Sequence, residues 1–290
     1  MVKELIRRGE SGGQVSDWNP SSDTITAPSQ QSFFAPHGLT LQQTITSSGA
    51  VTIPAGIDWV YVVMTGGGGG GDFNGGGGGG VSWGWTLTQN TCVIGAGGVN
   101  SVGGYSRYGH IIAGGGGTRS VVPFLGGAGS GAGATNYYGI PGGTASSATA
   151  VNGNPGSGAS GGFTNSNGKG GDGISGGGGA ANNTTNVPAG DGGSGLVGGG
   201  GGAHGGSSGT RTGGNGGNAI GIDGTIYTGG TGSISTTASA PGGGGAGIAG
   251  NGGNATASTS GVGGLGGGGA GSLNSALGGT GGAGILYIWY

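Results

Sequence analysis

Unbroken glycine runs constrain this chain more than any other feature of its sequence. Glycine supplies 92 of the 290 residues and forms continuous runs at 66–71, 75–80, 114–117 and 198–202. A glycine content of about one-third is also typical of collagen, but collagen needs a strict Gly-X-Y triplet and many prolines. Neither is found here, where the prolines number only 9. A collagen triple helix is therefore excluded.

The residues between the runs distinguish this chain from a flexible glycine-rich linker. Charged residues make up only 6% of the chain and its net charge is −2, whereas disordered chains usually stay solvated through high net charge. Apolar segments such as 121–125 and 285–290 separate the runs, and such segments require burial. The flank Asn-Gly-Gly-Asn-Ala occurs at 215–219 and again at 251–255. Repeated flanks of this kind indicate stacked, equivalent elements.

An ordered glycine run favours an extended helix over an α-helix. Each glycine costs an α-helix about 1 kcal/mol relative to alanine. The extended helix has three residues per turn and no internal hydrogen bonds, so its N–H and C=O groups must bond to neighbouring segments. The sequence therefore predicts a bundle of parallel and antiparallel polyglycine-II helices with loops at its ends. At about 3.1 Å per residue, a run of roughly six to eight residues spans on the order of 20–25 Å.

Short β-strands are predicted to enclose this bundle. Segments rich in β-branched and aromatic residues, with turn signals between them, occur at 44–46, 51–53, 58–64, 81–88, 91–94 and 285–290, and this pattern is typical of strands. The expected fold class is mostly irregular or all-β, with little or no α-helix. The predicted domain organisation is an N-terminal attachment arm (1–40), a β-strand entry region (41–95), and a polyglycine-II-rich body (96–290) closed by the C-terminal strand 285–290.

A few features argue against whole classes of function. The single cysteine, Cys92, excludes an internal disulfide, and it is expected to be a small residue within a strand. Residues 1–10 contain no apolar stretch long enough for a signal peptide or a membrane span. We therefore expect the chain to be made in the cytoplasm, without membrane insertion. Lysines and arginines are scattered and form no basic patch, which argues against nucleic acid as a partner.

The order of segments along the chain resembles that of a known family. A strand, a Pro-Ala-Gly turn, a second strand and a glycine run follow one another at 51–71, and a strand, turn and strand lead to Val-Ile-Gly-Ala-Gly-Gly within 75–98. The stretch GGYSRYGHIIAGGGG at 103–117 returns to a glycine run, and GGAGILYIWY ends the chain at 281–290. In these segments the chain is similar to the glycine-rich domains of bacteriophage tail-fibre and tail-tip adhesin proteins, some of which are sandwiches of polyglycine-II helices.

The resemblance implies a bacteriophage virion protein, a tail-fibre or tail-tip component involved in host-receptor recognition. Its implied partners are other virion proteins, contacted through residues 1–40, and a host cell-surface saccharide or outer-membrane protein. A homo-oligomer, common among fibres, stays open, as does the position in the virion, because residues 1–40 match no part of the family. The alternatives are a purely structural virion part (a fibre shaft, spike or decoration) and, less favoured, an ice-binding protein.

Aromatic residues between the glycine runs are the candidate receptor contacts. Aromatic rings on a rigid scaffold give large contact area at low entropy cost, and the segments that join the runs are expected to be loops at the bundle ends. The receptor-contact candidates are Phe124, Tyr137, Tyr138, Phe163 and Tyr227. Packing of these rings against the bundle is the alternative. Tryptophans on predicted strands are instead expected in the core or in a subunit interface, namely Trp59, Trp83, Trp85 and Trp289.

No catalytic, cofactor or metal site is predicted. Gly-x-Ser-x-Gly strings surround Ser175 and Ser207, but a nucleophile elbow needs a strand before the serine and a helix after it. Asp172, Asp191 and Asp223 stand in glycine-rich surroundings that faintly resemble calcium-binding repeats, although too few acids recur at a fixed step to build shared sites. We therefore expect a protein that is not an enzyme.

Overall fold

The computed structural model describes residue 36 and residues 38–118, 168–182, 186–205, 209–236, 239–272 and 278–290. Within these ranges the regular elements are β-strands, and none of the described residues is helical. The strands are β1 (Leu41–Ile45), β2 (Gly49–Ala50), β3 (Trp59–Thr65), β4 (Val81–Leu87), β5 (Thr91–Cys92), β6 (Ser106–Tyr108), β7 (Ile111–Ala113), β8 (Arg211–Thr212), β9 (Ala219–Ile220), β10 (Ile226–Tyr227), β11 (Ile234–Ser235) and β12 (Ile285–Trp289). The expected all-β or irregular fold class is confirmed at that level.

An antiparallel sheet in the order β1-β12-β3-β4 joins the two ends of the glycine-rich region. The C-terminal strand β12 lies between β1 and β3, with Tyr287 opposite Val63 and Leu286 opposite Ile45. Its partner β3 continues the sheet to β4, where Val63 stands opposite Trp83. The predicted strand at the C-terminus is therefore present, and it is paired with neighbours on both of its edges.

One face of this sheet forms a core with the short strands that follow it. Because side chains alternate across a strand, Val62 and Met64 of β3 point to the same face as Leu286 of β12, and all three are fully buried. Tyr108 and Cys92 belong to the same cluster. The Tyr108 hydroxyl accepts a hydrogen bond from the backbone N–H of the residue at 89 and donates one to its C=O, at 2.9 and 3.0 Å. The polar end of this buried ring is thereby satisfied.

The other face of the sheet carries the aromatic side chains. The ring of Tyr61 lies edge-on to that of Trp289, with centroids 6.3 Å apart, and edge-on to that of Trp85, with centroids 5.6 Å apart. These are favourable arrangements for aromatic pairs. Val197 and Ile248, which come from turns between glycine segments, pack into the same cluster. The ends of the glycine segments are in this way fixed to the sheet.

One predicted strand is absent, and other local details were not foreseen. Residues 51–53 are not a strand; Val51 is buried and its N–H donates to the C=O of residue 90 at 2.8 Å. A β6–β7 hairpin lies within the predicted glycine-rich body, since Tyr108 is recruited into the core next to the sheet. The tryptophans were expected in the core or in a subunit interface. Trp289 is in the core, whereas Trp59 and Trp85 are 54% and 45% exposed in this chain, so for them the interface stays a prediction.

The chain between the strands runs away from the sheet and back again. Residues 66–71 leave β3, a bend follows at 72–74, and residues 75–80 return to β4. Further turns pack apolar residues against the aromatic face of the sheet, namely Ile174, Leu196, Ile222, Ile248, Ala249 and Leu265. The described connections at the other end gather around the bend at 72–74, whose backbone and side chains bond to residues 181, 203 and 272. The glycine segments therefore form an array with a sheet end and a far end.

Backbone hydrogen bonds in this array repeat every third residue. In segment 66–71 the first and fourth N–H groups donate to residues 80 and 77, the second and fifth to residues 104 and 101, and the third and sixth to residues 282 and 279, over 2.8–2.9 Å. Segment 75–80 does the same with acceptors in 114–117, 176–179 and 266–269, over 2.7–3.0 Å. A strand would alternate every second residue. Each segment therefore bonds to three different neighbours rather than to the two of a flat sheet.

The array requires glycine because its segments approach one another too closely for side chains. A Cβ atom at Gly69 would lie 2.0 Å from the carbonyl oxygen of Gly117, and one at Gly200 would lie 2.2 Å from that of Gly269. These obstacles are backbone atoms, which cannot move aside without breaking the hydrogen bonds that they form. The Cβ of an alanine at Gly250, in contrast, would meet nothing within 4 Å.

The Gly69→Ala substitution is expected to destabilise the protein, whereas Gly250→Ala is not. Overpacking of an interior costs about 1–3 kcal/mol. The atoms nearest to the added methyl group at Gly69 belong to the backbone, so no flexible side chain can move to make room for it. At Gly250, alanine has room and reduces the freedom of the unfolded chain, which is worth about 0.4–1 kcal/mol of stabilisation. Thermal unfolding followed by circular dichroism should show a lower Tm for the first variant only. Equal Tm values for the two variants would contradict the close-packed array.

Buried tyrosines should make the fold sensitive to alkali. Burial, with smaller contributions from Tyr227 and Asp223, raises the pKa of Tyr287, and burial also raises the pKa of Tyr61. The folded state therefore keeps phenolic protons that the unfolded chain loses above about pH 10. The stabilisation that these protonated tyrosines give the folded state is fully present below that pH and is lost as the pH rises beyond it.

The Tyr287→Phe variant should weaken this alkaline dependence. Urea unfolding measured from about pH 8 to 11 should give a free energy of unfolding that falls less steeply with pH than in the unsubstituted protein. Tyr105→Phe is the matched control. Identical pH profiles for the Tyr287→Phe variant and the unsubstituted protein would show that ionisation of Tyr287 is not linked to folding.

Candidate functional site

Most of the predicted receptor contacts lie outside the described residues. Phe124, Tyr137, Tyr138 and Phe163 belong to residues 119–167, which the structure does not describe. The described residues on either side, however, are at the far end of the array. Gly117 accepts a hydrogen bond from Gly77, just past the bend at 72–74, and Gly168 accepts one from Ala180 at 3.0 Å, next to the residue that bonds to Asn74. The chain therefore leaves and re-enters the array at the far end here.

Tyr227 lies at the sheet end. It stands in β10 opposite Ala219 of β9, and it is half-buried. Its phenol is close enough to Tyr287 to contribute to the raised pKa of that residue. Tyr227 and the described residues that flank the other four candidates therefore lie at opposite ends of the array.

A groove at the sheet end was missed by sequence reasoning. It has a volume of about 740 Å³ and is lined by Trp83 of β4, by the turns at 172–174, 194–196 and 218–220, and by Ile226. Its volume is in the range of small-molecule pockets, about 300–1,000 Å³. One feature of the sequence could have indicated this groove: a large aliphatic residue recurs at the turns between successive glycine segments.

Stacked turns build the wall of this groove. The N–H of Leu196 donates to the C=O of Ile174 at 2.8 Å, and the N–H of Ile220 donates to the C=O of Gly195 at 3.1 Å. Successive turns are thereby held in register, so that Ile174, Leu196 and Ile220 line the same groove. Asp172 lies beside it, where its carboxylate pairs with Lys169 at 3.3 Å. The result is an apolar groove with a polar rim.

A ladder of polar side chains crosses the exposed surface of the array next to this rim. Asp172 Oδ1 accepts a hydrogen bond from the backbone N–H of Ser194 at 2.7 Å, and Asp191 Oδ1 accepts one from the N–H of Asn215 at 2.6 Å. Ser194 Oγ accepts from the N–H of Asn218 at 3.1 Å. Side-chain oxygens thus take the place that a C=O group of a further glycine segment would hold in the interior of the array.

The repeated Asn-Gly-Gly-Asn-Ala flanks supply further rungs of this ladder. The side-chain oxygens of Asn215 and Asn218 accept from the N–H groups of residues 232 and 229, both at 3.0 Å. Those of Asn251 and Asn254 accept from residues 228 and 231, both at 2.9 Å. Asparagines three residues apart match the three-residue period of the backbone. The repeat therefore satisfies N–H groups at the surface, which would otherwise lack a protein partner.

Hydrogen exchange can test each rung separately. In an Asn215→Ala variant, the amide of Gly232 should exchange faster while that of Gly229 keeps its rate, because each amide has its own acceptor. In the Asn218→Ala variant, the amide of Gly229 should exchange faster while that of Gly232 keeps its rate. Each substitution removes one exposed hydrogen bond, so the loss in stability should be about 0.5–1.5 kcal/mol. If both amides respond equally to either variant, the side chains do not act as individual acceptors.

Residues that suggested chemistry from sequence are engaged in structural contacts. The Ser175 hydroxyl is buried and donates to the C=O of Gly79 at 2.7 Å, while Ser207 is outside the described residues. Asp223 accepts hydrogen bonds from the backbone and side chain of Thr225, and these bonds lower the pKa of its carboxyl. Burial raises the pKa of the Cys92 thiol, which disfavours the thiolate.

The described part of the chain has neither a candidate metal site nor a candidate membrane-spanning helix. Across those residues, no three histidine, cysteine, aspartate or glutamate side chains are grouped so that they could hold a metal ion. The same residues include no helix with the length and hydropathy needed to cross a membrane.

Comparisons with known proteins were made by family and by sequence. The chain matches no protein-family model. A search of curated proteins likewise finds no match.

Proposed function

We propose that the glycine segments are polyglycine-II helices packed into a bundle. This is supported by N–H groups that return to the same neighbour every third residue, as expected for a helix with three residues per turn. Segments pack in both directions. Residues 176–182 pair in parallel with 197–203, and residues 198–204 pair antiparallel with 240–246. The close approach of backbones, which excludes a Cβ atom at most glycines, also favours this interpretation.

We further propose that this bundle is the scaffold of a bacteriophage tail-fibre or tail-tip protein that takes part in host-receptor recognition, without enzymatic activity or a cofactor. One observation carries the proposal. The described residues on either side of 119–167, the region that contains four of the five candidate receptor contacts, lie near the bend at 72–74, away from the sheet. Connections displayed at one end of a rigid scaffold suit binding, since loops tolerate variation while the scaffold stays constant.

The proposed partners follow from the difference between the two ends of the array. The sheet end receives the chain from residues 1–40, which we assign to contacts with other virion proteins. We assign residues 119–167, with Phe124, Tyr137, Tyr138 and Phe163, to contacts with a host cell-surface saccharide or outer-membrane protein, because the described residues that flank them lie at the far end. Aromatic side chains suit either receptor because they bury large area and lose little entropy. The protein is then located in the virion after synthesis in the host cytoplasm.

Substituting Tyr137 and Tyr138 by alanine should weaken adsorption of the virus to its host. An aromatic residue at the centre of an interface typically contributes about 2 kcal/mol or more, so the adsorption rate constant or the affinity of the isolated protein should fall by tenfold or more. The same measurements on Tyr227→Ala, at the sheet end, should show no such loss. The Tyr137→Ala/Tyr138→Ala variant should keep the Tm of the unsubstituted protein.

Unchanged adsorption by virions that carry the Tyr137→Ala/Tyr138→Ala protein would remove these residues as receptor contacts. A further comparison uses the chain without residues 1–40. If this shortened protein, added in solution, still blocks adsorption of intact virions, recognition belongs to residues 41–290. If it does not block adsorption although it is folded, the purely structural alternative is favoured.

The purely structural virion part has one observation in its favour. Trp59, Trp85 and Leu87 form an exposed apolar patch on β3 and β4, with 45% to 54% of each side chain accessible. Patches of this kind are typical of subunit contacts. Ice binding is less favoured: the polar ladder is regular, but its acceptor oxygens are engaged with backbone N–H groups, and Asp172 is also paired with Lys169.

A further inference from the structure

The groove at the sheet end leaves aliphatic side chains exposed to solvent. Ile226 is 69% exposed and Ile220 is 43% exposed, although both line a concave surface together with Trp83. Each Å² of apolar area kept in water costs about 25 cal/mol. A concave apolar surface of this size is a favourable site for an apolar side chain.

This groove is continuous with the aromatic core of the sheet. Trp83, Ile174 and Leu196 line the groove and also pack against the cluster that contains Tyr61 and Trp289. Leu39, from the segment just before β1, packs against the same cluster. The N-terminal part of the chain therefore enters the sheet along the face that carries the groove.

A turn redirects the chain immediately before this point. The N–H of Leu39 bonds to the C=O of Pro36 at 3.4 Å, and Gly38 has a φ of 93°, which suits the third residue of a type II turn. Such a turn reverses the chain direction. Leu39 therefore packs against the aromatic cluster of the sheet immediately after a reversal of chain direction.

The residues that precede the turn are suited to an apolar groove. Residues 28–36 read Pro-Ser-Gln-Gln-Ser-Phe-Phe-Ala-Pro and carry no charge. Phe33 lies six residues before Leu39, which corresponds to about 20 Å of extended chain. Two adjacent aromatic side chains can thus reach across the sheet face from a fixed starting point.

We propose that the groove is the docking site for Phe33 and Phe34 of the same chain. The two phenyl groups would cover Ile220 and Ile226 and stack beside Trp83, so that the N-terminal segment is anchored to the sheet end. Only the residues before this anchor would then be free to contact another protein. This inference does not depend on the proposed role in host recognition.

Photo-crosslinking of the full-length protein tests the position of the anchor. With p-benzoylphenylalanine in place of Phe34, irradiation should give adducts with residues of 172–174, 194–196 or 218–226 in the same chain. The yield should be several-fold above that of the same probe placed at Trp18. Adducts found mainly between two chains would mean that a second copy fills the groove, and a yield no higher than the Trp18 control would mean that nothing of this segment does. Either result overturns the proposal.

A double-mutant cycle measured by thermal unfolding provides an independent test. Phe33→Ser/Phe34→Ser and Ile226→Asp should each lower the Tm, and the combined variant should lose less than the sum of the two, because both remove the same contact. Ile234→Asp is the matched control, since Ile234 is 68% exposed in a similar two-residue strand but does not line the groove. Its effect should add to that of the phenylalanine variant. Additive losses for Ile226→Asp as well would overturn the proposal.

Discussion

Backbone hydrogen bonds between glycine segments are the interaction on which the described structure depends. The N–H groups of 66–71 and 75–80 point successively toward three neighbouring segments, so no segment is stable without those around it. Ordering so much glycine costs more conformational entropy than ordering any other residue. Only a lattice in which nearly every segment is bonded on several sides offsets that cost, and the lattice in turn forbids a Cβ atom at positions such as Gly69.

Such a lattice leaves two sets of groups without partners: the apolar residues of its turns and the N–H groups of its outermost segments. The sheet accommodates the first set and the polar ladder accommodates the second. At one end, β12 pairs with both β1 and β3, and the aromatic face of the sheet takes up the apolar residues of the turns. Along the surface, N–H groups of the outermost segments have no further glycine segment as an acceptor. Asp, Ser and Asn side chains take this role, with Asn215 and Asn218 as the clearest pair. The hydrogen bonds at the exposed surface of the array thereby follow the same three-residue period as those in its interior.

The two ends of the array also differ from each other. The sheet end contains the chain entry near Leu39, the C-terminal strand and the apolar groove. The far end contains the described residues from which the chain departs at Thr118 and returns at Gly168. A scaffold whose ends differ in this way can be held at one end and can bind at the other, and the proposed anchor at Phe33 and Phe34 belongs to the holding end.

Sequence alone was sufficient for the fold class, the strands at β1, β3, β4 and β12, and the need for inter-segment bonds, because these follow from the φ/ψ freedom of glycine and from local apolar patterns. It also singled out the Asn-Gly-Gly-Asn-Ala repeat, but not its use. Tertiary structure decided which segment accepts each N–H, that Trp59 is exposed, and that Tyr227 lies at the sheet end. It also revealed the groove, which is assembled from turns far apart in the chain. A glycine run bonds equally well to any other glycine run, so its partners are set by the sheet and the turns that fix each segment in space, and this information is absent from any one segment.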